Sequence, residues 1–131
     1  MKQKVGISAI TAYVPSYRVG LEDWCNWTDN SWDKISSIIG SGFRMLGPDE
    51  SIYTMAANAV LDLIIENKIE PSQIGFLALG TESSTDNSAG TIIIKGMVND
   101  ELKNRGLSPI SNQCDCLLYT SPSPRDATLS R

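Results

Sequence analysis

The chain has 131 residues, 41% of them hydrophobic and 20% charged, with a net charge of −4. These proportions exclude a disordered chain, and an acidic balance without any basic run excludes the positive stripe that a nucleic acid or an anionic membrane surface requires. The longest apolar runs, Leu61–Ile65 and Ile92–Ile94, fall far short of the ~20 residues of a bilayer span, so a soluble, cytoplasmic protein is expected.

Val5 to Tyr13 is rich in β-branched and apolar residues and runs into Val14-Pro15-Ser16-Tyr17, the composition of an interior strand ending in a turn. The same stretch, broken by Gly6, Ser8 and Thr11, does not make the apolar core of a secretory leader. Apolar residues at helical spacing predict two short helices, over Leu21–Trp27 (Leu21, Trp24, Cys25) and Trp32–Ile39 (Ile35, Ile38, Ile39), the second closed by Gly40. Three glycines and a proline make Gly40–Pro48 a predicted loop, with Asp49, Glu50 and Ser51 supplying N-terminal capping chemistry for the next helix.

That helix carries the clearest period in the chain. Ile52, Met55, Ala56, Ala59, Val60, Leu63 and Ile64 fall on one stripe, with Asn58, Asp62 and Glu66 off it. Pro71 and Ser72 then break the chain, and Ile74–Leu79 is an apolar run ending at Gly80, as expected of a strand covered on both faces. Its C-terminal tip delivers Thr81-Glu82-Ser83-Ser84. Asp86, Asn87 and Ser88 are cap candidates for a helix over Ala89–Leu102, with Ile92, Ile93 and Met97 on its apolar side and Lys103, Arg105 and Gly106 at its end. Strands alternating with helices predict an α/β sheet whose functional groups gather at strand C-termini, where Glu82 lies.

Cys25, Cys114 and Cys116 are an odd number without framework spacing, which fits a reducing compartment. A zinc site needs four ligands, and a chain with no histidine does not offer them, so no metal is expected. Trp24, Trp27 and Trp32 have no basic groove around them and are expected in packing rather than in base stacking.

The chain end differs from the rest. Cys116 to Asp126 reads CLLYTSPSPRD, without strand or helix periodicity. It is also the translation, codon by codon, of a stretch that resembles a transposon-based sequencing-library adapter. Residues 116–131 are therefore expected to be a non-native, disordered tail, and residues 1–115 to be the authentic fragment.

Three segments carry a resemblance: VGISAITAYVPSYRV (Val5–Val19), DESIYTMAANAVLDLI (Asp49–Ile64) and GFLALGTESSTDNSAGTIIIKGM (Gly75–Met97). Their order and spacing are similar to the opening of hydroxymethylglutaryl-CoA synthases, whose G-T-E-S motif with a following aspartate is matched by Gly80, Thr81, Glu82, Ser83 and Asp86. The resemblance implies the N-terminal βα portion of a thiolase-like, layered α/β/α/β/α domain. It also implies a condensing acyltransferase acting on acetyl-CoA and acetoacetyl-CoA, with no permanently bound cofactor, in a homodimeric parent protein. An acyl carrier protein is the alternative to free CoA as acyl carrier.

The same resemblance gives Glu82 the role of general acid/base, which suits a carboxylate made more basic by partial desolvation at a strand tip. Read from the residues alone, Glu82 is an acid placed ahead of a helix dipole, and Asp86 is a helix cap. Cys114 is set aside as the nucleophile, because Ser111-Asn112-Gln113-Cys114 has loop composition and no activating neighbour. The family's cysteine would lie beyond the chain, leaving the fragment inactive. Arg44 could reach a CoA phosphate, but a solvated loop arginine is the expectation. One departure is Asn87-Ser88-Ala89-Gly90, where many bacterial members carry a lysine. The rival readings are a ketoacyl-carrier-protein synthase III-like enzyme, which would lack the glutamate, and a small non-catalytic α/β binding module.

Overall fold

The computed structural model describes residues 5–81 and 89–119, which divide into two compact units. The smaller comprises residues 13–51 and the larger residues 52 onward together with the chain before residue 13.

In the smaller unit, β1 (Tyr17–Gly20) leads into α1 (Leu21–Thr28) and α2 (Trp32–Ile39), and β2 (Gly42–Met45) returns antiparallel to β1. Both helices fall where their spacing predicts them. Leu21 and Cys25, one turn apart, are the buried residues of α1, and Trp24 meets Phe43 of β2 edge-to-face, with centroids 5.8 Å apart at 87°, a favoured aromatic geometry. The α1 terminus closes with Asp29 at φ +56° and an Asn30 N–H bond to the Cys25 carbonyl. Gly40, at φ +79°, ends α2 as expected.

β2 corrects the loop expected over Gly40–Pro48. The glycines at 40 and 42 read as turn punctuation, but Gly42 stands opposite Gly20, where an added Cβ would come within 2.5 Å of the Val19 carbonyl oxygen. This glycine serves close strand approach rather than a turn.

In the larger unit, α3 (Ile52–Glu66) is followed by a 3₁₀ turn (Pro71–Gln73), β3 (Phe76–Gly80), α4 (Gly90–Asn104) and β4 (Asp115–Tyr119). β3 and β4 pair in parallel, Phe76 opposite Asp115 and Gly80 opposite Tyr119, with α4 as the crossover that parallel pairing requires. The core is Ala57, Leu61 and Ile64 of α3, Ile94, Val98 and Leu102 of α4, then Ile110 and Cys114. Asn99 holds the loop after α4 against this core. Its Oδ1 accepts from the Ile110 N–H at 2.8 Å.

Four further expectations differ from what is found in these elements. The stripe on α3 is rotated toward Tyr53, Ala57, Leu61 and Ile64, because a helix apolar around most of its girth admits several stripes and its neighbour selects one. On α4 the buried face is Gly90, Thr91, Ile94, Val98 and Leu102, leaving Ile92 and Ile93 exposed. The strand expected over Val5–Tyr13 is irregular backbone, with Val5, Ile7 and Ile10 all more than four-fifths exposed. Strand residues need a ladder partner, and among the described residues β3 pairs only with β4. Finally, the tail expected to be disordered from Cys116 runs on as β4 to Tyr119. Parallel pairing with β3 satisfies the backbone groups along one edge of this stretch, and composition alone does not foretell that pairing.

Leu102 is fully buried and Ile92 is not. Leu102→Ala is expected to destabilise the larger unit by about 2–5 kcal/mol, and Ile92→Ala by no more than about 0.5 kcal/mol. Chemical denaturation followed by helical circular dichroism measures both.

Candidate active site

β3 alternates. Leu77 and Leu79 pack on the core while Phe76, Ala78 and Gly80 are exposed, so the strand expected to be covered on both faces is covered on one among the described residues. Its last residue, Gly80, stands beside Tyr119, placing the C-terminal ends of two parallel strands together. Thr81 follows directly, and the chain is described again at Ala89, which flanks α4 and makes no side-chain cap bond. Functional groups of open α/β sheets collect outside such strand ends.

Glu82 and Asp86 lie outside the described residues, as do the cap candidates Asn87 and Ser88. What is fixed is the approach to Glu82 from both sides. The strand tip ends one residue before Thr81, and the first turn of α4 begins with buried Gly90 and Thr91. Two cavities lined by described residues lie away from this tip. One, of about 440 Å³, is an apolar slot in the smaller unit lined by Val19, Trp24, Trp27, Phe43 and Met45, with Asp23 at its edge. Of the tryptophans, Trp24 packs as expected, whereas Trp27 is 84% exposed.

Cys114 is placed at the other end of the parallel pair. It precedes Asp115, which stands opposite Phe76 at the start of β3. Six residues of strand at about 3.3 Å each put it roughly 20 Å from Thr81. The residue is 6% exposed, and burial, followed by the neighbouring Cys116, pushes its thiol pKa up. Its Sγ donates weakly to the Asp115 carbonyl oxygen at 3.7 Å. A thiol held protonated is a poor nucleophile, so geometry and electrostatics agree with setting Cys114 aside.

Arg44 is exposed but sits on β2 rather than in a loop. Its Nη1 donates to the carbonyls of Pro15 (3.2 Å) and Ser16 (3.0 Å). It stands directly opposite Arg18, an unfavourable like-charge pairing. The two guanidinium groups separate along the ribbon, that of Arg18 toward the Ser41 hydroxyl at 3.5 Å. No signal in the sequence foretells this pairing, because it depends on the β1–β2 register.

Buried and with its thiol pKa raised, Cys114 in the folded chain should alkylate more slowly than a free cysteine near neutral pH. Iodoacetamide labelling with peptide mass mapping measures this. Labelling at the free-thiol rate would contradict the burial.

No protein-family model matches the chain. It is 33% identical over 87 residues to hydroxymethylglutaryl-CoA synthase A of Dictyostelium discoideum, a match covering 66% of this chain and 18% of that protein. It is 31% identical over 114 residues to hydroxymethylglutaryl-CoA synthase ERG13 of Gibberella zeae, covering 86% of this chain and 25% of the relative. The enzyme of Methanothermobacter thermautotrophicus matches at 30% over 79 residues, which is 60% of this chain and 23% of the relative. The chain thus spans about a fifth to a quarter of the length of the curated relatives it matches.

Among solved structures, MvaS in complex with 3-hydroxy-3-methylglutaryl coenzyme A superposes with a TM-score of 0.74 at 26% identity, over 92% of this chain and 27% of MvaS. The priming β-ketosynthase of the R1128 polyketide biosynthetic pathway superposes with a TM-score of 0.59 at 18% identity, over 83% of this chain and 30% of the other, a likeness of fold. The chain is thus related to the hydroxymethylglutaryl-CoA synthase family and carries part of its thiolase-like α/β fold.

Proposed function

We propose that the parent protein is a condensing acyltransferase that forms 3-hydroxy-3-methylglutaryl-CoA from acetyl-CoA and acetoacetyl-CoA, with Glu82 as its general acid/base. The observation that carries this reading is the G-T-E-S motif beginning at Gly80, the C-terminal end of β3, in a chain whose matched relatives are hydroxymethylglutaryl-CoA synthases. The complex of MvaS with its CoA thioester supports a CoA-bound substrate.

The chemistry asks for a base that removes a methyl proton from an enzyme-bound acetyl thioester. The resulting enolate carbon attacks the ketone carbon of acetoacetyl-CoA, and the alkoxide so formed takes a proton from the same carboxyl group. Water then cleaves the thioester to the enzyme. A carboxylate at a strand tip serves both proton transfers, provided its surroundings raise its pKa toward neutrality.

In this reading the nucleophilic cysteine belongs to the parent outside residues 1–131, residues 116–131, the β4 residues Cys116–Tyr119 included, derive from an adapter, and the chain by itself is inactive. The parent is cytoplasmic and a homodimer. Among the described residues no helix is long and apolar enough to cross a membrane. Against the ketoacyl-carrier-protein synthase reading stands Glu82, since that chemistry relies on histidine and asparagine in place of the carboxylate.

Resequencing the source locus past the Asp115 codon without transposon adapters gives the full reading frame, from which the parent can be expressed. In that protein Glu82→Gln is expected to lower the condensation rate by about 10²–10⁴-fold while acetyl transfer from acetyl-CoA to the enzyme persists. An unchanged condensation rate, or a genomic frame that encodes CLLYTSPSPRD and stops, would sink the proposal.

A further inference from the structure

The smaller unit is a 39-residue excursion, residues 13–51, whose two chain ends meet. The phenol of Tyr13 donates to Glu50 Oε1, and Glu50 Oε2 accepts the Gly47 N–H at 2.6 Å. The Glu50 N–H in turn donates to the Gly47 carbonyl at 3.1 Å. Gly47 is buried beneath these groups. A Cβ there would lie 3.2 Å from both the Asp49 and Glu50 carboxylates and 3.3 Å from the Tyr17 ring, so the site is built around a bare backbone. One carboxylate therefore ties residue 13, at the entry of the unit, to residues 47–50, at its exit.

Each unit also has its own interior. Leu21, Cys25 and the Trp24–Phe43 pair serve the smaller one, and the α3–α4 cluster serves the larger. From these observations we propose that Glu50, bound by Tyr13 and Gly47, is an acid-releasable clasp that closes residues 13–51 into a separately unfolding unit. The proposal does not depend on the catalytic reading above.

The sign follows from the bonds. The Tyr13 phenol first, and the Gly47 N–H second, hold the Glu50 carboxyl below its ordinary pKa. A depressed carboxylate contributes its stability above its unfolded pKa and loses it as pH falls through the folded one. The clasp is closed at neutral pH and opens in acid. Among the described residues, Asp49 and Tyr17 also stand beside the Gly47 turn, while Arg44 donates to the Pro15 and Ser16 carbonyls close to Tyr13.

The sequence supplies separate reporters. All three tryptophans, Trp24, Trp27 and Trp32, lie in the smaller unit. The two 15-residue helices α3 and α4 lie in the larger one and dominate the helical circular dichroism. In the full 131-residue chain, Tyr13→Phe and Glu50→Ala are expected to lower the thermal midpoint seen by tryptophan fluorescence by on the order of 5 °C. The midpoint seen by circular dichroism should stay in place. On acidification the wild-type fluorescence transition should precede the loss of helix. Glu50→Gln should abolish that early transition because it keeps an acceptor but no titration, and Asp49→Asn should leave it intact. A variant that loses its fluorescence transition altogether while keeping helix also supports the clasp. Midpoints that move together in the two signals, midpoints that do not move, or an early acid transition surviving in Glu50→Gln would each overturn it.

Discussion

The larger unit hangs on the stripe of Ile94, Val98 and Leu102 along α4, each at most 2% exposed. One helix face meets α3 on one side and the β3–β4 pair on the other, so the same three side chains position both the long helix and the strand tip before Thr81. Burying them contributes several kcal/mol on transfer estimates of roughly 1.5–3 kcal/mol per side chain. The crossover can run only because α4 is long enough to carry the chain back to the start of a parallel neighbour.

Helix ends in this protein show one device three times. Asp29, Lys68 and Gly106 all adopt positive φ, and in each case the next residue donates back across the last turn, Asn30 to Cys25, Ile69 to Ile64 and Leu107 to Leu102. This is the Schellman closure, which satisfies carbonyls that the helix leaves open. Only Gly106 is legible in the sequence, since glycine announces a left-handed residue and lysine or aspartate does not. The sequence shows where a helix weakens more readily than how its last turn is closed.

The same division between local and non-local information explains the rest. Periods along α1, α2, α3 and α4 are local, and the four helices fall where spacing puts them. Which face is buried depends on the neighbour, so α4 turns Ile94 rather than Ile92 inward. The β1–β2 pair joins residues about 25 positions apart through a glycine-rich stretch that reads as loop, and nothing local betrays it. Val5–Tyr13 has strand composition but no ladder partner among the described residues. For the candidate site, the proposal for Glu82 rests on its motif and its place after a strand, and Glu82 itself lies outside the described residues. Setting Cys114 aside needs only loop composition, and its burial at the far end of the parallel pair agrees.

The one-sided covering of β3 bears on how this polypeptide behaves when made alone. Phe76 is 57% exposed, and the strand edge away from β4 has no partner among the described residues. The strand holds no proline or inward-facing charge of the kind that blunts such edges; Phe76–Gly80 reads FLALG without a single charge. Added to the exposed Val5, Ile7 and Ile10, this makes the isolated chain a template for pairing with copies of itself.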